Sequence, residues 1–235
     1  MRLKYKFFYI LFIIACGGLL YRAIYAEEII EFNGLIQPDF MTIAETEIVT
    51  DMKGENLYIT KKYFSEDNFL RIEMSAIKEN KYNFYLYNKE NSFIWQISGT
   101  SKIGYLKKPD IDKIAGYKNL IKKTNEEKIK ELTGSRLINT DEIEMEVLSI
   151  KKEYYSGIPA YCFKVSIKDI FNGIKREQII WISTDRRILK EIEYMFDNSL
   201  NSEKPSNIIT KYYDYDVKFQ GSISIPEKDI DYKIK

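Results

Sequence analysis

Two long series of side chains alternate between apolar and polar, and a stretch of helical period separates them. A chain patterned this way commits to strands on both sides of one helical insert. In Ala44–Lys53, Ala44, Thr46, Ile48, Thr50 and Met52 alternate with Glu45, Glu47, Val49, Asp51 and Lys53, which leaves one face partly charged. Gly54-Glu55 turns the chain into a second strand, Asn56–Phe64, and Ser65–Asn68 turns it into a third. That third strand is the clearest, with Leu70, Ile72, Met74 and Ala76 opposed to Arg71, Glu73 and Ser75. Tyr82, Phe84 and Leu86, then Phe93, Trp95 and Ile97, mark two more alternating runs. Such short spacings predict an antiparallel meander.

The period changes over residues 109–134. Pro109 and Asp110 can open a helix, and Ile111, Ile114, Tyr117 or Lys118, and Ile121 fall at helical spacing, with Gly116 weakening the middle. A second short helix is expected over Asn125–Leu132, with Ile129 and Leu132 on one side and Gly134 as its C-terminal cap. Strands resume at Ile143–Tyr155, turn at Ser156–Pro159, and continue through Tyr161, Phe163, Val165 and Ile167. A Gly173 turn, the strand Lys175–Ser183, the charged turn Thr184–Arg187, the strand Ile188–Phe196 and a last strand Ile208–Phe219 complete the pattern. The expected fold is mainly β, about ten antiparallel strands in one domain over residues 27–235, covered by the helical insert of residues 109–134.

Ahead of this domain stands a leader. Arg2, Lys4 and Lys6 precede the apolar run Phe7–Ala15, and Ala26 precedes the polar pair Glu27-Glu28, the three regions of a secretory signal over residues 1–26. Ile13-Ile14-Ala15-Cys16-Gly17 also resembles a bacterial lipobox, in which residues 1–15 leave and Cys16 is lipidated. An uncleaved anchor is the third option, although the apolar run ends at Leu20, short of the roughly 20 residues a span needs. All three place residues 27–235 outside the cytoplasm. Without the leader's four basic residues, 36 Lys and Arg fall to 32 against 35 Asp and Glu, so no basic face for nucleic acid is expected.

The chain contains no histidine, which removes the commonest general base and the commonest metal ligand, and no cofactor or metal is expected. Cys162 lies between Tyr161 and Phe163 without a cationic neighbour and reads as a small strand residue, not a nucleophile. Glu126-Glu127 and the alternating Glu142, Glu144 and Glu146 read as solvated faces and not as catalytic carboxylate pairs. Trp95 and Trp181 suit either a ligand cavity or an ordinary core, and Arg186-Arg187 either an anionic lipid surface or a solvated turn. A binding protein and not an enzyme is therefore expected.

Three passages in order resemble the LolA-like family of extracytoplasmic lipoprotein carriers and lipid-binding lipoproteins. They are Glu47–Met74 (EIVTDMKGENLYITKKYFSEDNFLRIEM), Gly157–Tyr194 (GIPAYCFKV, then IIWISTDRRILKEIEY) and Tyr212–Ile225 (YYDYDVKFQGSISI). The resemblance implies a curved antiparallel half-barrel closed by helices around an apolar cavity that holds an acyl chain or a lipidated peptide. On that reading Leu70, Ile72, Met74, Tyr82, Phe84, Leu86, Phe93, Trp95 and Ile97 line the cavity. Arg71 corresponds to a basic strand residue that holds the lid in the family, or is a cross-strand partner for a carboxylate. Richness in Ile, Lys, Asn and Tyr fits the AT-rich coding of anaerobic spore-formers, where the family includes GerS-type spore-germination lipoproteins. That branch implies a different partner, a cell-wall (cortex) amidase.

Overall fold

The structure, a computed structural model, describes residues 39–66, 69–89, 92–98, 101–107, 111–134, 137–140, 142–171, 173–196, 204–218 and 231–234. Within them the side chains of 93, 95–98, 101–107, 111 and 231–234 are not described. All lie in one compact unit, Gly34–Lys235. The leader and the lipidation candidate Cys16 fall outside the described residues.

Among the described residues thirteen strands form one sheet: β1 (Thr42–Asp51), β2 (Asn56–Ser65), β3 (Phe69–Ala76), β4 (Lys81–Asn88), β5 (Ser92–Ser98), β6 (Ser101–Lys107), β7 (Leu137–Asn139), β8 (Ile143–Tyr155), β9 (Ile158–Asp169), β10 (Lys175–Ser183), β11 (Ile188–Phe196), β12 (Asn207–Tyr215) and β13 (Asp231–Ile234). Their order is β13-β6-β5-β4-β3-β2-β1-β12-β11-β10-β9-β8-β7. Every pairing is antiparallel except β13 on β6. The first meander runs outward from β1 to β6, and the second starts at the opposite edge and runs inward until β12 pairs with β1. All ten expected strands are present, and β6, β7 and β13 are additional.

This topology dictates the insert. The chain leaves β6 near one edge and must reach β7 at the other, so the connection crosses a whole sheet face. It does so as one helix, α1 (Ile111–Gly134), of 24 residues, about 36 Å long. The two short helices expected from the sequence are thus a single one. Its buried positions explain why: Ile114, Tyr117, Lys118, Ile121, Asn125, Ile129 and Leu132 form an unbroken stripe at intervals of three and four. Asn125 belongs to the stripe and interrupts nothing. Asp112 in the first turn complements the positive helix end.

Directly opposed residues of an antiparallel ladder share a face, so the register assigns every side chain to the helix side or the outer side. Ile43 (β1), Phe64 (β2) and Leu70 (β3) are opposed in turn, and Phe64 packs on Tyr117 of α1, which fixes this as the helix side. On the C-terminal wing the same face carries Met145 and Val147 of β8, Phe163, Val165 and Ile167 of β9, and Ile180 and Ile182 of β10, all buried. Strands are spaced about 4.8 Å apart and a helix rises about 1.5 Å per residue, so α1 passes one strand roughly every three residues. The polar contacts run in the same direction, from Tyr117 on β1 to Asn125 on β12 and Lys128 on β11.

Candidate functional site

The helix is held on the sheet by buried polar groups. Glu45 of β1, 3% exposed, accepts hydrogen bonds from Tyr117 Oη of α1 at 2.9 Å and from Lys62 Nζ of β2 at 2.9 Å. Glu191 of β11, also buried, accepts from Lys128 Nζ at 2.5 Å and from Tyr213 Oη at 3.2 Å. Asn125 Nδ2 donates to Tyr215 Oη at 3.2 Å. At the helix's first half, Lys118 bridges Asp39 (3.1 Å) and Glu66 (2.6 Å), and Lys122 meets Asp39 at 2.6 Å. Phe40 fills the corner below, edge-on to Phe64 and Tyr215, with the Lys118 ammonium over its ring.

These surroundings set the charge states. Burial, together with Glu45, pushes the Tyr117 phenol far above its usual range, and burial with Glu191 and Glu45 does the same to Tyr213. Both remain neutral donors to a carboxylate. Burial raises Tyr215 as well, against the opposing effect of its bond from Asn125. Bonds from Lys122 and Lys118 hold Asp39 down to about 2. Among the described residues both buried carboxylates, Glu45 and Glu191, are thus committed to a tyrosine and a lysine, which suits anchoring.

Further ion pairs continue along the helix-side face: Glu47–Lys211 at 3.0 Å and Glu193–Arg176 at 3.3 Å. The middle of the sheet, over β1, β12 and β11, is therefore a polar seam, and apolar surface lies to either side. To the C-terminal side it is buried. To the N-terminal side, the row Ile72 (β3), Tyr85 (β4) and Ile94 (β5) is only half-buried. Beside it Met74 is 42% exposed and Tyr58 48%. This open N-terminal wing is the candidate site.

Of the nine residues expected to line one cavity, the six with described side chains divide between two faces. Leu70, Ile72 and Met74 are on the helix side, and Leu70 is already buried beneath α1's row. Tyr82, Phe84 and Leu86 are opposed to Ser75, Glu73 and Arg71, which puts them on the outer side. The reason is the loop: four residues, 77–80, connect Ala76 to its partner Lys81, so even-numbered residues of β3 oppose odd-numbered residues of β4. Phe84 and Leu86 are fully buried on that outer face. Phe93, Trp95 and Ile97 occupy strand positions opposed to Leu86, Phe84 and Tyr82, and their side chains lie outside the described set.

Arg71 does not touch the helix. It sits on the outer face, paired with Glu73 and stacked over the rings of Tyr63 and Phe84. Glu73 is on the same strand as Arg71, and the residues directly across from Arg71 are Tyr63 and Leu86, so its carboxylate partner is not a cross-strand one. The residues that hold the helix are Glu45, Glu191, Tyr117, Asn125, Lys118 and Lys128, to none of which the sequence reasoning assigned that role. Their signal was present in the polar residues inside the helix's apolar stripe, which require polar partners on the sheet.

The remaining candidates resolve simply. Trp181 is on the outer face, donates Nε1 to Glu153, and packs on Tyr155 with the Lys190 ammonium over both rings. Cys162 is reduced and buried, and burial beside Glu153 pushes its thiol up to about 11. Glu126, Glu127, Glu142, Glu144 and Glu146 are exposed. Arg187 is tied down by Asp216 at 2.6 Å and stacks over Tyr215. Among the described residues no group of three or more acidic or cysteine side chains is placed to hold a metal, and no helix is long and apolar enough to cross a membrane.

No family model matches the chain, and no curated protein matches it. Among solved structures, a LolA superfamily protein from Nitrosomonas europaea is similar over 83% of this chain and 94% of its own, at 11% identity and a TM-score of 0.23. Those last two values are too low to carry an argument, and the architecture rests on the strand order and register given above.

Proposed function

We propose that this protein is a non-catalytic, exported binding protein that takes an acyl chain or a lipidated peptide against the helix-side face of its N-terminal wing. One observation carries the reading. Ile72, Met74, Tyr85, Ile94 and Tyr58 remain open beside the helix, while the matching face of the other wing is filled. Burying such a surface against an alkyl chain yields about 25 cal/mol per Å² and needs no covalent step. The polar seam of Glu45, Glu47 and Lys211 bounds the surface on one side and suits a polar head. The leader of residues 1–26, cleaved or lipidated at Cys16, would deliver the domain beyond the membrane.

Native mass spectrometry of the purified protein is the test. Co-purified lipid that disappears in Ile72→Glu while the fold persists supports the reading. Retention of lipid by Ile72→Glu, or a bare mass after incubation with a long-chain fatty acid, rejects it.

A second reading, an interaction module that binds and stabilises a cell-wall amidase, is favoured by exposed apolar side chains at the β9–β10 turn. There Phe171 is 75% exposed, next to Ile170. Loss of amidase binding in Phe171→Ser, with lipid content unchanged, supports it.

A further inference from the structure

β8 spans 13 residues, yet its outer neighbour β7 covers only Glu144–Glu146. Beyond β7, no strand of the described residues lies along the outward edge of Val147–Tyr155. The ladder to β9 shifts register between Val147 and Ser149 and is then regular from Ser149 to Tyr155. A two-residue turn closes it, with both Ser156 (φ 49) and Gly157 (φ 82) left-handed, the geometry of a tight hairpin. Such a turn makes Tyr155 and Ile158 a hydrogen-bonded pair. Glu153, Lys151 and Ser149 therefore also bond inward, and the backbone groups of Ile150, Lys152 and Tyr154 point outward. The edge is held by its hairpin partner, and Lys151–Tyr154 along it are exposed.

Its side chains specify what can pair there. Leu148 and Tyr154 are strongly exposed, the latter at 76%, and they flank the exposed Lys151 and Lys152. Lys151 makes no ion pair among the described residues. Lysines on an edge oppose self-association. A second copy added by two-fold symmetry must place one residue against itself, and a register centred on this stretch sets Lys152 against Lys152 or Lys151 against Lys151. A foreign strand with acidic residues at those positions and apolar residues beside Leu148 and Tyr154 meets no such penalty.

We infer that the free edge of β8 is a docking edge for an extended acidic segment of a protein partner, which joins the sheet as an added strand. The site is separate from the open wing, and its test does not depend on lipid binding. The probe is an end-capped, fluorescein-labelled peptide, Val-Thr-Glu-Glu-Thr-Thr-Val, whose adjacent glutamates oppose Lys152 and Lys151 and whose end valines oppose Tyr154 and Leu148, with the Lys-Lys counterpart as control. Anisotropy should show binding of the acidic peptide alone. The double variant Lys151→Glu/Lys152→Glu should weaken it by about tenfold or more. Lys152→Pro, which removes an outward donor and leaves the inward bonds of β8 in place, should also abolish it. In the unsubstituted protein, amide exchange should slow at Ile150, Lys152 and Tyr154 when the peptide is bound. Equal binding of both peptides, binding insensitive to Lys152→Pro, protection elsewhere on the sheet, or a dimer of the free protein that dissociates on Lys152→Pro would each overturn the inference.

Discussion

The two wings of the sheet share one helix and use it differently. Over the C-terminal wing, the helix-side positions Met145, Val147, Phe163, Val165, Ile180 and Ile182 are buried, and the last turns of α1 bring Ile129 and Leu132 to the same side. Over the N-terminal wing, α1 packs on Phe64 through Tyr117 and passes β3 and β4, and Ile72, Met74 and Tyr85 stay partly open. That wing stabilises itself from the other side, where Phe84 and Leu86 are buried on the outer face. One wing is thus filled with buried side chains on this face. The other keeps apolar surface facing a potential ligand, and the buried ion pairs between them fix the helix without filling the gap.

The contrast can be broken most sharply at Phe163. Phe163→Ala removes a ring from a fully buried position and should cost about 3–5 kcal/mol in denaturant titration. Met74→Ala on the open wing should cost under about 1 kcal/mol. Similar losses at the two sites would erase the distinction.

The anchoring pairs come next in size. Tyr117→Phe leaves Glu45 buried with one donor fewer and should destabilise by about 1.5–3 kcal/mol. In a double-mutant cycle, Lys128→Met with Glu191→Gln should lose less than the sum of the single changes. Strict additivity would show that the pair does not hold the helix.

A charge on the open wing separates stability from binding. Ile72→Glu should leave the unfolding midpoint nearly unchanged and abolish uptake of a fluorescent fatty acid, while Phe84→Glu should prevent folding because that ring is buried. The reverse pattern would mean that the outer face is the ligand face.

The smallest effect is in acid. Asp39 is held at about 2, below its ordinary 3.8, chiefly by its bonds from Lys122 and Lys118. A depressed carboxylate stabilises the fold above its unfolded-state value, and that contribution disappears as pH falls from about 4 to about 2. The Asp39 side chain is largely exposed, so solvent screening keeps the change small. Near-UV circular dichroism across that window should show a shallower loss for Asp39→Asn than for the unsubstituted protein.

Alternation made the strands legible, because a half-buried strand shows its period directly in Leu70–Ala76 or Tyr161–Ile167. β10 and β11 have the expected limits, set by the turn at Thr184–Arg187. Three strands escaped because they carry little pattern: β7 is three residues long, β6 contains Gly104, and β13 is four residues beyond the meander. Helix continuity was hidden at Asn125, a residue that favours caps in isolation and here finds Tyr215. The site was only half legible. Alternation names two sets of side chains per strand, but which sets of β3 and β4 share a face depends on the parity of the 77–80 loop, a pairing property that no single strand displays.

Amide hydrogen exchange with and without a long-chain fatty acid tests the difference between the wings most directly. The expected result is slowed exchange in β3 to β5 and the first half of α1, with β8 to β10 unchanged. Protection confined to the C-terminal wing, or none anywhere, would contradict the assignment of the open wing as the ligand face.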